Sequence, residues 1–340
     1  MKKILSTLIA AAMLLSLLAG CGGSEGTADT GSGTTADSNS TAADTGSSSG
    51  GTLKIGLSMS NRDQWLSTME QAAMDYAGAN GVELKSFDSN VDVVTQLSHV
   101  TACANDGYDA MIINLVNTDN AQEMIDAAGD MPVVFVNRTP GKPEEQLQEG
   151  KVVYVGSDEN EAGQLEGEFI ANLMKEAGKT DVNVVVMTGT LGMQATTLRT
   201  EAAKKALEDS GLNINYVFED TADWDRAKAM EKFVQFMGTG KPYDAVICNN
   251  DEMALGVVEA MKTTGDMVVT VPVAGVDATA SALESIKNGD QAFSAFQNAV
   301  GQGEGAVAAA IKLANGESCD LYNWVPFEPV NADNVAEYLN

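Results

Sequence analysis

The feature that most constrains this chain is one structural pattern stated twice, first between Leu53 and Arg138 and again between Val182 and Asp277. The first copy runs Tyr108-Asp109-Ala110-Met111-Ile112-Ile113-Asn114, then a helical stretch, then Gly129-Asp130-Met131-Pro132-Val133-Val134-Phe135-Val136-Asn137. The second runs Tyr243-Asp244-Ala245-Val246-Ile247-Cys248-Asn249-Asn250, a helical stretch, Gly265-Asp266-Met267, and then Pro272-Val273-Ala274-Gly275-Val276-Asp277. Each apolar run is too short for a helix and ends on a polar residue, as buried strands of a parallel sheet do. Asn114, Asn137, Asn250 and Asp277 therefore fall at the carboxyl ends of such strands, where open α/β sheets bind ligands. Two such lobes facing each other make a cleft lined from both sides.

Periodicity places strands near Leu53–Met59, Val82–Phe87, Ala110–Leu115 and Pro132–Asn137, with helices near Leu66–Ala79, Val91–Asn105 and Asn120–Ala128. The second set has strands near Asn183–Met187, Ile214–Phe218, Ala245–Asn249 and Val271–Val276, and helices near Thr197–Ser210, Asp225–Met237 and Glu252–Thr263. A strand at Val152–Gly156 and a helix from about Glu161 to Glu176 lie between the two trains. After the second come a helix (Ala280–Asn288), a strand (Ala292–Phe296), a helix (Gly303–Ala314), a strand (Trp324–Pro329) and a terminal helix. The predicted fold class is α/β: two doubly wound, Rossmann-like parallel-sheet lobes with the ligand cleft between them. The tail is long enough to return to the first lobe, which makes the connection between lobes multi-stranded.

Lys2 and Lys3 precede an apolar run from Ile4 to Leu18, followed by Leu18-Ala19-Gly20-Cys21. A basic start, a short apolar core and small residues before a cysteine are a secretion signal. The run is shorter than the ~20 residues of a spanning helix. It resembles a bacterial lipoprotein signal, which makes residues 1–20 the signal peptide and Cys21 the lipidated first residue. Residues 21–51 are then a flexible tether, built almost wholly from Gly, Ser, Thr, Ala and Asp. The expected location is extracytoplasmic, with the membrane reached only through the lipid anchor.

Residues 52–340 carry 18 basic and 44 acidic side chains, a formal charge of −26, which disfavours nucleic acid and anionic lipid as partners. Cys103, Cys248 and Cys319 are not at metal-ligand spacing. Cys103 and Cys248 read as small buried hydrophobes, and the spacing leaves open whether one pair bridges.

Catalytic signals are sparse. His99 is the only histidine, so neither a His-based metal cluster nor a His-assisted triad can be built. No phosphate loop with its lysine is present. Gly301-x-Gly303-x-Gly305 reads as the opening of a closely packed helix. Asp63 and Asp277 could in principle act as an acid-base pair across the cleft, but accepting hydrogen bonds from ligand hydroxyls is the favoured role. No enzyme activity, cofactor or metal is expected.

Recognition signals are richer. Arginine occurs only at 62, 138, 199 and 226, and a guanidinium suits paired hydrogen bonds to adjacent ring hydroxyls. Arg138 and Arg199 are read as ligand contacts and Arg226 as a structural ion pair. Of the three tryptophans, Trp65 and Trp224 fall in loops at the expected mouth, where an aromatic face can stack on a sugar or cyclitol ring. Trp324, inside a strand, reads as core.

From Leu53 onward the chain resembles the periplasmic sugar-binding proteins of ABC importers, in the ribose and galactose group. The resemblance is carried by Ile113-Asn114-Leu115-Val116, Tyr154-Val155-Gly156-Ser157-Asp158, Asp220-Thr221-Ala222-Asp223-Trp224-Asp225, Asn249-Asn250-Asp251-Glu252-Met253-Ala254-Leu255-Gly256 and Gly275-Val276-Asp277-Ala278. It implies two lobes joined by three crossings and closing on ligand like a hinge. The lobes are expected to take residues 52–137 with 298–326, and 138–297 with 327–340. By position it implies that Asp63, Trp65, Asn114, Asn137, Arg138, Arg199, Trp224, Asn250, Asp277 and Gln297 contact the ligand. Asn137 and Arg138 stand where ribose binders have an Asp-Arg pair.

Two departures bear on specificity. Met193 and Ala195 replace a histidine and an aspartate of the galactose and glucose binders, and the segment 175–180 lacks their alternating calcium-ligating acids. Val136-Asn137-Arg138-Thr139-Pro140, Phe296-Gln297-Asn298-Ala299-Val300-Gly301-Gln302-Gly303 and Trp324-Val325-Pro326-Phe327-Glu328 resemble the inositol and rhizopine binders of the group. The expected ligand is a neutral cyclic polyol or monosaccharide, inositol-type first, with galactose, glucose or ribose as alternatives. Implied partners are an ABC permease with its ATPase subunits, with a chemoreceptor or sensor kinase as the rival destination, and a monomer is expected. A sugar-responsive repressor of this fold would need a basic DNA-binding helix pair in place of the acidic tether.

Overall fold

The repeat is longer than four strands per copy. A computed structural model describes residues 51–264 and 267–339; the expected signal peptide, Cys21 and the tether up to residue 50 lie outside the described residues. The first lobe opens with β1 (Lys54–Met59), α1 (Gln64–Ala79), β2 (Glu83–Asp88), α2 (Val93–Asn105) and β3 (Ala110–Ile113). It continues with α3 (Ala121–Ala128), β4 (Val133–Val136), the short α4 (Pro143–Gln146) and β5 (Val152–Gly156). The second lobe contains α5 (Glu159–Glu176), β6 (Asp181–Thr188), α6 (Gln194–Asp209), β7 (Asn213–Thr221), α7 (Arg226–Met237), β8 (Ala245–Cys248) and α8 (Asp251–Thr264). Then follow β9 (Val273–Asp277), α9 (Ala280–Lys287), β10 (Phe293–Gln297), α10 (Ala299–Ala314), β11 (Tyr322–Trp324) and β12 (Phe327–Asn331).

The two six-stranded sheets have equivalent orders, β2-β1-β3-β4-β5-β11 and β7-β6-β8-β9-β10-β12. Five strands of each are parallel. The sixth is β11, parallel to β5, in one sheet and β12, antiparallel to β10, in the other. The strand at Val152–Gly156, which the sequence leaves between the trains, is the fifth strand of the first sheet. The lobe boundary expected at 137/138 is thereby corrected: the chain first crosses at Ser157 and Asp158, between β5 and α5. The apolar run Val152–Val155 is buried on both faces, which only a position inside a sheet allows.

Each sheet is covered on both faces. In the first lobe α1 and α10 enclose one core with Ile55, Leu57 and Val134, while α2 and α3 enclose another with Met111, Ile113 and Phe135. In the second, α5 and α6 pack over Val184, Ile247 and Val276, and α7 and α8 over Val185, Val246 and Phe233. The glycine run at 301–305 has the role expected of it: a Cβ on Gly303 would lie 2.4 Å from the Met69 carbonyl, so the glycine lets α10 approach α1.

Three crossings join the lobes, at Ser157–Asp158, Asn298 and Val325–Pro326. Ser157 binds them together, its Oγ donating to the Val325 carbonyl at 2.6 Å and lying 2.9 Å from Gln302 Nε2. The third crossing corrects the single strand expected at Trp324–Pro329, because the chain changes sheets at Val325–Pro326. Trp324 is consequently not core. It is 53% exposed on the edge strand β11 and stacks on Tyr322 at 5.3 Å. The terminal helix expected after residue 329 is a single turn, Val335–Glu337. Cys103, Cys248 and Cys319 are free thiols.

Candidate functional site

A cleft of about 680 Å³, its open mouth included, lies between the lobes. Asp63, Trp65, Leu66, Thr118, Asn137, Arg138 and Thr139 line it from the first lobe. Glu159, Met193, Gln194, Ala195, Arg199, Trp224, Asn250 and Asp277 line it from the second, and Gln297 from the end of β10. All come from strand carboxyl ends, from the turns after them or from the helices that follow, as expected of open α/β sheets. Three lining residues have positive φ without being glycine, Asn137 (65°), Trp224 (64°) and Asp277 (115°), and Ala278 (51°) follows the last of them. Such backbone is costly and recurs at binding sites.

Arg199 is the electrostatic centre of the second lobe. It is 4% exposed, donates from Nε to Glu159 at 2.5 Å and from Nη1 to the Asn249 carbonyl at 2.8 Å, and has Nη1 3.9 Å from Asp277 Oδ1. Burial opposes its charge, but Glu159, Asp277 and Glu166 outweigh burial and hold the guanidinium protonated. Glu159 reaches it because Gly163, one turn on, lacks a side chain: a Cβ there would sit 2.2 Å from the Arg199 carbonyl, so only glycine lets α5 approach α6 this closely. Asp277, 7% exposed, accepts no hydrogen bond from the described residues. Burial raises its pKa well above the usual carboxylate range, Arg199 pulls it back, and Asp251, Asp63 and Glu159 push it further up.

The two cleft tryptophans are anchored differently. Trp65 lies in the first turn of α1 rather than in a loop, and its Nε1 donates to the Gln297 carbonyl at 3.0 Å. Trp224 sits in a turn with its Nε1 3.3 Å from Met193 Sδ. Its ring covers Gly189, where a Cβ would be 2.1 Å from Cζ2. Arg199 lies 5.8 Å from the ring centroid. The Gln297 side chain is 2% exposed and its Nε2 has no partner among the described residues.

On the first-lobe side, Arg138 Nη1 donates to the Leu115 carbonyl at 2.7 Å. No carboxylate of the described residues pairs with Arg138. Burial pushes its pKa down to about 10, with Asp63 opposing. Asp63 caps α1, accepting from Leu66 N at 2.8 Å through Oδ1. Asn250 likewise caps α8 through Oδ1, 3.1 Å from Met253 N, and its Nδ2 has no partner among the described residues.

Asn114 is the exception among the expected contacts. It is fully buried and does not line the cleft. Its Oδ1 accepts from Ser60 N and Oγ at 3.2 and 2.6 Å, and its Nδ2 donates to the Val136 carbonyl and to Asn137 Oδ1 at 3.3 and 3.2 Å. A polar residue ending a buried strand can serve the neighbouring loops as well as a ligand, and here it braces Asn137. The sequence reading missed Glu159. Its signal was a carboxylate just after the helix cap Asp158, on the face of α5 that carries Ala162, Gly163 and Glu166 inward. Arg226 pairs with Glu252 at 2.8 and 3.0 Å, in the structural role expected of it.

Among the described residues, the cleft therefore presents unpaired donors at Asn250 and Gln297, the remaining donors of Arg138, an open acceptor at Asp277, and two aromatic walls. A family described as periplasmic binding protein domain matches residues 55–318, and the chain belongs to it. Its members are solute-binding transport components rather than enzymes. The chain is 37% identical over 293 residues to a putative rhizopine-binding protein of Rhizobium meliloti, covering 84% of this chain and 92% of that one. It is 30% identical over 307 residues to the D-galactose/methyl-galactoside binding periplasmic protein of Haemophilus influenzae, with 84% and 92% covered. An ABC transporter solute binding protein from Bacillus halodurans, solved with bound myo-inositol, superposes with a TM-score of 0.79 at 33% identity, covering 86% and 99% of the two chains.

Proposed function

We propose that this protein is the lipid-anchored substrate-binding component of a carbohydrate ABC importer, capturing a neutral cyclic polyol or monosaccharide, inositol-type first, by hinge closure. The observation that carries this reading is the unsatisfied polar set around the tryptophan-walled cleft, above all the buried Nε2 of Gln297, which has no partner among the described residues and belongs to a residue lining the same cleft as Asp277. A ring bearing several hydroxyls satisfies such a set, donating to Asp277 and Asp63 while accepting from Arg138, Asn137, Asn250 and Gln297. Trp65 and Trp224 would take its C–H faces. The related rhizopine binder and the neighbour holding myo-inositol favour a cyclitol. Met193 and Ala195, with no polar group for a further hydroxyl, weigh against transfer of galactose recognition. The closed form would then dock on the permease, with Cys21 tethering the protein at the outer face of the membrane. No helix among the described residues is long and apolar enough to cross a membrane.

The test is the thermal shift of protein starting at Thr52, unfolded and refolded to strip carried ligand, with myo-inositol, ribose, galactose, glucose and xylose. A ligand at a hundred times its dissociation constant stabilises by ~2.7 kcal/mol. A shift with myo-inositol supports the cyclitol reading, a shift with an aldose alone moves the protein to the sugar alternatives, and no shift with any of them rejects the ligand class. The anchor is tested separately: Cys21→Ser should release the protein from the membrane fraction.

A further inference from the structure

The turn that presents Asp277 is held in an unfavourable shape by a second, fully buried aspartate. Asp277 and Ala278 are consecutive non-glycine residues with φ of 115° and 51°, so their conformation must be imposed from outside the turn. Asp251, the first residue of α8, is 0% exposed, and its Oδ2 accepts the backbone N–H of Thr279 at 2.9 Å. Its Oδ1 accepts from Ser294 Oγ and from Gln291 Nε2, each at 2.8 Å. Ser294 Oγ in turn accepts the backbone N–H of Ala278 at 2.9 Å. One carboxylate thus holds both amides that follow Asp277, one directly and one through a hydroxyl. The strand passes close by because residue 275 is glycine: a Cβ there would lie 2.5 Å from Asp251 Oδ1.

Among the described residues Asp251 has no cation at ion-pair distance. A carboxylate buried in this way costs stability, because the hydrogen bonds only partly replace its hydration. What it gains locally is the geometry of one turn, and that turn carries the open acceptor of the cleft. The residue before it, Asn250, lines the same cleft, so the start of α8 offers one side chain to the cleft and uses the next to shape the neighbouring turn.

We infer that Asp251 is the positioning residue for Asp277, acting through Thr279 N–H and the Ser294 hydroxyl to aim the Asp277 carboxylate at a ligand hydroxyl. This rests on the reading of Asp277 as a ligand contact. Asp251→Asn replaces an acceptor oxygen with a donor nitrogen and frustrates one side of the clamp; Ser294→Ala removes the relay to Ala278 and perturbs the fold less.

Calorimetric titration of myo-inositol into each variant should give an affinity loss of about tenfold for Asp251→Asn and about threefold for Ser294→Ala. In an Asp277→Asn background each substitution should change affinity by less than about twofold, because its effect passes through Asp277. Equal losses in both backgrounds, or unchanged affinity for both single variants, would overturn the inference. If myo-inositol does not bind the wild-type protein, the ligand reading fails, and ligand-free crystal structures decide the positioning role. Asp277 leaving its φ near 115° in Asp251→Asn or Ser294→Ala upholds it, and an unmoved Asp277 in both rejects it.

Discussion

Trp65 Nε1 donates to the main-chain carbonyl of Gln297 at 3.0 Å, which ties the first helix of one lobe to the end of the fifth strand of the other. Both residues line the cleft, and Gln297 directly precedes the crossing at Asn298, so the bond fixes the first lobe against the chain at the hinge. A buried hydrogen bond of this kind contributes about 0.5–1.5 kcal/mol. Trp65→Phe, which keeps an aromatic face but lacks the donor, should therefore weaken ligand binding by about two- to tenfold, chiefly through faster dissociation. Stopped-flow kinetics with the identified ligand would show it, and an unchanged dissociation rate would mean that this hydrogen bond does not hold the ligand-bound form.

Asp277 and Arg199 should respond differently to truncation. Asp277→Ala removes a buried carboxylate that accepts no hydrogen bond from the described residues, so the thermal midpoint should hold or rise while affinity falls by at least about tenfold. Arg199→Ala strands Glu159 in the interior and should cost about 3–5 kcal/mol of stability as well as binding. Denaturant titration alongside calorimetry separates the two. A destabilised Asp277→Ala, or an Arg199→Ala as stable as wild type, contradicts the electrostatics described.

Gly189 makes room for the Trp224 ring. Gly189→Ala places a Cβ 2.1 Å from Cζ2 and should displace the indole from the cleft, lowering affinity by about tenfold or more with a smaller loss of stability. Intrinsic tryptophan fluorescence would register the displaced ring; wild-type affinity in this variant would refute Trp224 as a cleft wall.

Three buried carboxylates make stability fall with rising pH. Burial raises Glu166 to about 8 and Asp251 to about 7, and lifts Asp277 well above its usual range. The folded state keeps these protons after the unfolded chain has lost them, so the loss begins near the ordinary carboxylate pKa and, for Asp251 and Glu166, continues to about pH 8. Each raised group takes away up to about 1.4 kcal/mol per pH unit across its window. The melting temperature should be lower at pH 8.5 than at pH 5.5. Glu166 accepts from Cys248 N through Oε1, and its Oε2 has no partner among the described residues, so Glu166→Gln should lessen the drop and be at least as stable as wild type at pH 8.5. An equal drop in both proteins would mean that Glu166 is already ionised.

The two βαβ trains were legible because buried parallel strands are short, apolar and punctuated by polar residues at their ends. Nine of the ten expected contact residues line the cleft for the same reason: they stand at those strand ends or just after them. Asn114 shows where that rule stops. A strand-end amide aimed sideways looks identical in sequence to one aimed at a ligand, and only packing shows that Ser60 and Asn137 consume its hydrogen bonds. Glu159 was missed for the converse reason, since its partner lies forty residues away on another helix.

The sequence by itself determined the two α/β lobes, the polar edge of each sheet and most of the residues that meet between them, because those are properties of local period and strand ends. The tertiary structure alone decided which lobe owns β5, where Val325–Pro326 passes from one sheet to the other, and why Trp324 is exposed. It alone also placed Asp251 behind Asp277 and Glu159 beside Arg199. Those outcomes depend on contacts between residues far apart in the chain, which the periodicity of neither segment encodes.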